Sequence, residues 1–419
     1  MNNAKPVHWP SVIQLGLSLL AALALFGFGG LLLLSGLIQL FQGGLDNPEV
    51  VPTFMLTASF ILAGLLMLPS AWFAYRRLAS PLVEPAAPRR RLNPWVLSLL
   101  GMLFVPLLLL VGNWAARSSL AWLFLPPISL LATGLPVLWL VWLGKRGLPA
   151  GSSQRQWGLF AGGLVFSPLL IIFIELLALL GLMVLVGLLI AIDPELAQDI
   201  TTLAMRLASS PPGTDNWLNI LSPFLMKPVF LGAIFTYTSL LIPLIEEALK
   251  PLGLWLLAGR RLSPAQGFAG GLISGAGFAL FENLSALSAG GSDWALLAGL
   301  RITTALLHVL TTGLVGWALA HAWTHRRYLR LGLTYAAAVA LHGIWNAFGI
   351  ATFSLPALNL PWQSVDQATF FTTLTMVGLG FLTVVNLFFY LVMNRRLQLK
   401  PEPQQALPDP PVDITPSLD

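Results

Sequence analysis

Residues 228–250 of the chain are PVFLGAIFTYTSLLIPLIEEALK, an apolar run that closes with the adjacent acids Glu246 and Glu247 and with Lys250. The run is long enough for a bilayer-spanning helix, which needs about 20 apolar residues. Each carboxylate at membrane depth costs roughly 2.5–3.5 kcal/mol on insertion scales, so such groups usually face a bundle interior or a wet cavity and serve a function. The stretch therefore predicts a membrane helix that carries a functional polar site.

The composition of the whole chain is that of a membrane protein. Of its 419 residues, 56% are hydrophobic and 9% are charged, whereas a soluble domain has about 25% charged residues. There is no cysteine, which excludes disulfides and thiolate chemistry. We predict an all-α, polytopic bundle of about ten transmembrane helices. The ten apolar segments have approximate bounds 12–41, 53–75, 94–112, 119–143, 157–191, 228–258, 264–287, 294–322, 331–350 and 370–393.

Basic residues indicate how the bundle is oriented. Cytoplasmic loops carry an excess of Lys and Arg, so we predict that both termini are cytoplasmic in a bacterial-type inner membrane. The net charge is +5. Because the Lys and Arg residues behind it lie in loops, they are expected to orient the helices, and they do not indicate a nucleic-acid partner. The basic residues cluster after every second predicted span: Arg76, Arg77, Arg89, Arg90, Arg91, Lys145, Arg146, Arg155, Arg260, Arg261, Arg326, Arg327, Arg330, Arg395, Arg396 and Lys400.

The predicted spans of the N-terminal half carry few ionisable residues, whereas those of the C-terminal half carry several. Glu175 is the one buried acid predicted for the N-terminal half, and we interpret it as structural or interhelical. The tail is rich in proline with Gln and Asp, a composition typical of disorder. We divide the chain into an N-terminal transmembrane extension of unknown role (1–191), an outer loop (192–227), a polar transmembrane core (228–350), a last outer loop with the final helix (351–399) and a disordered tail (400–419).

Three further apolar segments of the core carry inward polar groups. At 1.5 Å rise per residue, Glu246, His308 and His342 fall near the middle of their spans. These groups therefore predict one polar site at a common depth. The polar pairs of the three segments are Glu282 with Asn283, Arg301 with His308, and His342 with Asn346.

The residue types permit a catalytic and a structural interpretation. Carboxylate oxygens and neutral imidazole nitrogens are ligands that zinc prefers, and an amide can stabilise an oxyanion. A metal site would have to be assembled from separate helices, because the chain contains no H-E-x-x-H motif. In the structural alternative, Glu246 pairs with Lys250 on one helix face, the other acid pairs with Arg301, and each histidine makes an ordinary interhelical hydrogen bond.

The order of the motifs resembles one known family. Glu246-Glu247-x-x-Lys250, Phe278-x-x-x-Glu282-Asn283, His308 and then His342-x-x-Trp345-Asn346 resemble the PrsW family of intramembrane metalloproteases, which is related to the CAAX prenyl endopeptidases and bacteriocin-processing proteases. The resemblance covers roughly residues 230–350, so that 228–350 becomes a protease-like core. The CAAX branch has histidine where this chain has Glu282, which leaves that residue either a metal ligand or a supporting acid.

The resemblance implies an intramembrane endopeptidase that cleaves membrane-associated protein or peptide substrates in the lipid bilayer. A glutamate-activated water would attack the peptide bond, assisted by a divalent metal, with zinc the expected ion. Glu246 is the first choice as the base, and the histidines would be metal ligands or proton carriers. The implied roles are catalytic for Glu246, Glu247 and Asn346, metal-ligating for Glu282, His308 and His342, and supporting for Lys250, Asn283 and Arg301.

Two other classes of function remain open at the level of the sequence. Intramembrane Glu, His and Arg also mark proton relays, which would make the protein a proton-coupled carrier. Transporters typically show internal repeats, and no repeat is evident in this chain. The third class is a non-catalytic membrane scaffold or immunity protein.

Overall fold

The computed structural model describes residues 8–45, 47–79, 94–209, 214–289, 291, 293–353 and 365–398. Within these ranges the regular secondary structure is helical, and no strand is present. The helices are α1 (Trp9–Gly43), α2 (Val50–Ala79), α3 (Pro94–Ala116), α4 (Ala121–Gly144), α5 (Ser153–Ala161), α6 (Ser167–Ile192), α7 (Pro194–Ala208), α8 (Thr214–Leu225), α9 (Pro228–Thr236), α10 (Ile242–Leu249), α11 (Leu252–Trp255), α12 (Pro264–Leu287), α13 (Trp294–His325), α14 (Tyr328–Phe353) and α15 (Val365–Gln398).

The predicted all-α polytopic bundle is confirmed. Eight helical stretches in the described part of the chain are long and apolar enough to cross a membrane: Trp9–Gly43, Val50–Ala79, Ala121–Gly144, Ser153–Ile192, Pro228–Leu249, Trp294–His325, Tyr328–Thr352 and Thr369–Gln398. The other two predicted spans correspond to α3 and α12. The apolar part of α3 is the shorter stretch Leu103–Ala116. The α12 helix has 24 residues, but it is rich in glycine and most of its residues are buried by protein.

The helices α12 and α13 pack against each other along the centre of the bundle. The stripe Gly267, Gly271 and Gly275 makes this approach possible, as its spacing of four predicts. A Cβ added at Gly271 would lie only 2.3 Å from the carbonyl oxygen of Thr312 on α13. The helices α4, α5 and α14 pack around this pair, the α1–α2 hairpin packs on α4 and α5, and α15 packs on α13 and α14.

Replacing Gly271 with alanine should therefore destabilise the bundle. The added methyl group meets a backbone carbonyl that cannot rotate away, and overpacking of this kind costs about 1–3 kcal/mol. Thermal unfolding of the purified protein in detergent would measure the loss. Gly299→Ala is the matched control, because nothing lies within 4 Å of a Cβ added there and alanine favours a helix over glycine by about 1 kcal/mol. Equal melting temperatures for the two variants would contradict the close α12–α13 contact.

Two π-helical turns interrupt the long helices, at Gly162–Phe166 and at Tyr237–Leu241. Each directly precedes a dipeptide that contains a proline, Ser167-Pro168 or Ile242-Pro243. Proline has no N–H and its ring displaces the carbonyl of residue i−4, and an extra residue in the turn is one way to accommodate it.

The segment between α6 and α9 contains the helix α7, which begins directly after Asp193. The Asp193 Oδ1 atom accepts hydrogen bonds from the N–H groups of Glu195 and Leu196, both at 3.1 Å, which is a typical N-cap. The predicted tail 400–419 and most of the predicted loop after residue 353 lie outside the described residues. The predicted orientation of the termini and the division into segments stay predictions.

Candidate metal centre

The two glutamates and the lysine that close residues 228–250 are buried together at the end of α10. Glu246 is 7% exposed, and Glu247 and Lys250 are 0% exposed. Lys250 Nζ lies 2.8 Å from Glu246 Oε2 and 2.8 Å from Glu247 Oε1. The predicted i,i+4 pair is therefore present, but the lysine also contacts the second acid. One buried ammonium faces two buried carboxylates.

The Lys250 ammonium also contacts side chains of three other helices. It lies 2.7 Å from Nδ1 of His308 in α13 and 3.5 Å from Nδ1 of His342 in α14. The ring centroid of Phe278 in α12 lies 4.7 Å from Nζ, which is a cation–π contact. The four polar segments of the core thus converge, as the sequence predicts, and they converge on the lysine.

Three acidic and imidazole side chains around this point form a possible metal site. Glu246, His308 and His342 each offer one ligand atom, these atoms lie within 4.8 Å of one another, and all three residues are buried. The two imidazole rings lie edge to face with their centroids 5.1 Å apart. The His342 Nδ1 atom lies 2.9 Å from Glu247 Oε1, so the second glutamate holds the orientation of that ring.

Glu282 does not join this group, although the sequence analysis placed it among the metal ligands. Its Oε2 atom lies 2.5 Å from Nε2 of His308 and 2.9 Å from the guanidinium of Arg301. The Arg301 Nε–H in turn donates to Oδ1 of Asn283 at 2.9 Å. A carboxylate that contacts one nitrogen of a histidine orients its ring, and Glu282 lies where it can do this for His308.

Asn346, predicted to steady an oxyanion, contacts the second π-helical turn. There the N–H of Ile242 bonds to the carbonyl of Tyr237, five residues back. The next carbonyl in that register, Thr238 O, faces Pro243, which has no N–H. The Asn346 Nδ2 group donates to Thr238 O at 2.9 Å. Asn346 therefore satisfies a carbonyl that Pro243 leaves without a donor.

Comparison with known proteins assigns the chain to a family. The model of the PrsW family intramembrane metalloproteases matches residues 157–372, just over half of the chain. The chain belongs to the PrsW family. No curated protein and no solved structure matches it. The PrsW match begins at Trp157 in α5, so it is wider than the resemblance over 230–350 and includes the fifth predicted span.

Membership of the PrsW family makes this a multi-pass membrane protein and implies a peptidase with a divalent metal. The residues of the centre fit a metal in two respects. One carboxylate with two imidazoles is a donor set of catalytic zinc sites. In addition, Glu246 Oε2 is buried and forms no well-aligned hydrogen bond, although it lies near the Lys250 ammonium. Buried polar atoms normally have a partner, and a metal cation is one that this carboxylate oxygen accepts.

Two hydroxyl groups that the sequence did not indicate contact the backbone next to this PrsW centre. The α10 helix ends at Leu249, and the Ser274 hydroxyl of α12 donates to the carbonyl of Lys250 at 2.7 Å. The Tyr335 hydroxyl of α14 donates to the carbonyl of Leu244 at 2.6 Å. The sequence offers no signal for either contact, because helical hydroxyls commonly bond to their own backbone.

Proposed function

We propose that this PrsW family member hydrolyses peptide bonds of membrane-associated proteins at or within the bilayer. The observation that supports the proposal is the buried group of Glu246, His308 and His342. These three residues would hold the metal, and zinc is the ion that their donor chemistry favours. When bound, the metal polarises the scissile carbonyl and the attacking water.

Glu247 is the group that we assign to accept the proton of the attacking water. Its Oε1 atom contacts Lys250 and His342, while its buried Oε2 atom has no hydrogen-bond partner and so keeps a free acceptor. This departs from the sequence-based ranking, in which Glu246 was the first choice as the base. The reason is that Glu246 is a member of the possible metal site, whereas Glu247 adjoins it.

In this proposal Asn346 still stabilises the oxyanion, but with only one of its two N–H donors. A side-chain amide has two N–H donors, and one of them donates to Thr238. The second N–H is the one that would donate to the oxyanion. No acyl-enzyme intermediate is expected, because the attacking group is water.

Arg301→Gln should weaken metal binding without removing a ligand. Arg301 contacts Glu282, and Glu282 contacts His308, so the orientation of a proposed ligand depends on the arginine. Loss of such an indirect partner typically costs about 10–100-fold in metal affinity. Titration of the metal-free protein with zinc would measure this, and Arg206→Gln on the exposed helix α7 is the control. Unchanged affinity in Arg301→Gln would contradict the orienting role.

The proposed proteolysis is tested by comparing protein N-termini in membranes from cells that express the wild type or Glu246→Ala/Glu247→Ala. New N-termini that appear with the wild type alone would establish cleavage and identify substrates. Identical N-termini in both, at equal expression, would overturn the proposal. In that case, proton flux into proteoliposomes would test the carrier alternative, and its absence would leave the scaffold.

A further inference from the structure

A cavity with a basic rim lies apart from the metal centre. It has a volume of about 1140 Å³ and is bounded by α1, α2, α5, the first π-helical turn and α11. No residue of the metal centre lines it. Among the residues that the structure describes, the charged ones that line it are Arg76, Arg77, Arg155 and Arg260, and none of the described Asp or Glu residues does so.

The charges of Arg76, Arg155 and Arg260 are not balanced by carboxylates in the described part of the chain. There, no carboxylate lies within 4.0 Å of the guanidinium of Arg76, Arg155 or Arg260. Arg155 and Arg260 are close enough for their charges to repel each other. Like charges that lie close together repel each other unless a counter-charge joins them. The cavity is therefore complementary to an anion.

The location of the arginines places this charge at one face of the membrane. Arg76 and Arg77 lie in the last turn of α2, Arg155 lies in the first turn of α5, and Arg260 follows α11. The ends of these elements meet on the side that the distribution of basic residues predicts to be cytoplasmic. That face of a membrane carries the anionic lipids.

Buried polar contacts hold the cavity in shape. The Gln14 side chain of α1 donates to the Ser70 hydroxyl of α2 at 3.0 Å. The Gln154 side chain of α5 donates to Gln14 Oε1 at 3.1 Å, and the Ser18 hydroxyl donates to Ser70 at 2.9 Å. Gln14 and Ser18 lie on α1, Ser70 lies on α2 and Gln154 lies on α5. These contacts therefore connect three helices beside the arginines before any ligand binds.

Another part of the cavity wall is apolar. It is formed by Leu17 of α1, Phe73 of α2, Phe166 of the first π-helical turn, Leu252 of α11 and Leu256, which follows α11. A small inorganic anion would leave this wall uncovered. A molecule with an anionic head and a long apolar tail would contact both the arginines and the wall.

We propose that the cavity is a binding site for an anionic phospholipid of the cytoplasmic leaflet. The lipid phosphate contacts Arg76, Arg155 and Arg260, since guanidinium groups bind phosphate oxygens in a bidentate manner. The acyl chains lie along α1 and α11. Basic pockets between transmembrane helices at this face are typical sites for anionic headgroups. Because α11 begins two residues after Lys250, a bound lipid also supports the end of the helix that carries the metal centre.

The test is lipid binding by the purified full-length protein. Native mass spectrometry should show phosphatidylglycerol retained in preference to phosphatidylcholine, and added phosphatidylglycerol should raise the melting temperature. Arg155→Gln/Arg260→Gln should bind phosphatidylglycerol about tenfold or more weakly. The matched control is Arg395→Gln/Arg396→Gln, which removes the same charge from the exposed end of α15, outside the cavity. It should bind as the wild type does.

Several outcomes would overturn the proposal. Equal retention of the two lipids by the wild type would show that no anionic site exists, and this result does not depend on the folding of any variant. Equal losses in both double variants would indicate general surface attraction. Equally tight binding of glycerol phosphate, or displacement of the lipid by a peptide of residues 400–419, would assign the cavity to a soluble anion or to an acidic peptide. If the double variant does not fold, the exposed Arg260→Gln alone carries the same comparison.

Discussion

Glu247→Gln should lower the rate of substrate cleavage by about 10²–10⁴-fold, the usual contribution of a general base, while the purified protein keeps its metal. Glutamine has the same shape and retains an oxygen that accepts from Lys250, but it cannot take a proton from water. Glu247 is adjacent to the possible metal site of Glu246, His308 and His342 without belonging to it. Elemental analysis of the metal, combined with cleavage of a substrate found from its new N-terminus, measures both quantities.

Glu246→Gln should behave differently, because it removes a proposed ligand. We expect this variant to lose both metal and cleavage, whereas Glu195→Gln, in the first turn of α7, should change neither. The division of roles fails if Glu246→Gln keeps its metal or if Glu247→Gln loses it. Full cleavage by Glu247→Gln would contradict the proposed base.

Lys250→Met should destabilise the metal-free protein by about 3–5 kcal/mol, the usual cost of removing one partner from a buried ion pair. The ammonium is fully buried and contacts two buried carboxylates, which would be left without a counter-charge. A divalent cation would supply that charge, so zinc should raise the melting temperature of Lys250→Met more than that of the wild type. In the wild type the ammonium and the metal would repel each other, so the lysine has to move when the metal binds.

Melting curves with zinc and with a chelator test this prediction. Lys227→Met is the control, because it removes a lysine from a partly exposed pair with Asp199, and such pairs contribute about 0–1 kcal/mol. A metal-free Lys250→Met protein as stable as the wild type would show that the ammonium does not balance the acids. Zinc stabilising both proteins equally would show that lysine and metal do not compete.

Local sequence was sufficient to predict most of the helices. Long apolar runs predict helices because a bilayer leaves no other partner for the backbone, and eight of them have the required length and hydropathy. The helix α12 was also predicted, and its glycine stripe gave the face that packs on α13. The same stripe explains why α12 is less apolar than a lipid-facing span. Protein covers it, so large apolar side chains are not required.

The polar residues that the structure groups together were visible in the sequence, but their arrangement was not. The order of Glu246, Glu247, Glu282, His308 and His342 indicated one polar site, because ionisable groups are costly in a membrane. Which acid adjoins which histidine depends on how separate helices are rotated and how far each is shifted along its axis. The structure brings Glu246 to the histidines and moves Glu282 to the outer edge of His308.

The sequence by itself determined that this is a helical membrane protein with buried acids, histidines and a lysine, since hydropathy and residue type are local properties. Only the tertiary structure decided that Lys250 lies at the centre of the group and that Asn346 contacts Thr238. Both depend on backbone features between helices, the chain turn at Lys250-Pro251 and the π-helical turn before Pro243. A proline in the sequence marks where a helix is disturbed, but the donor that satisfies the freed carbonyl comes from another helix. Its identity is set by packing.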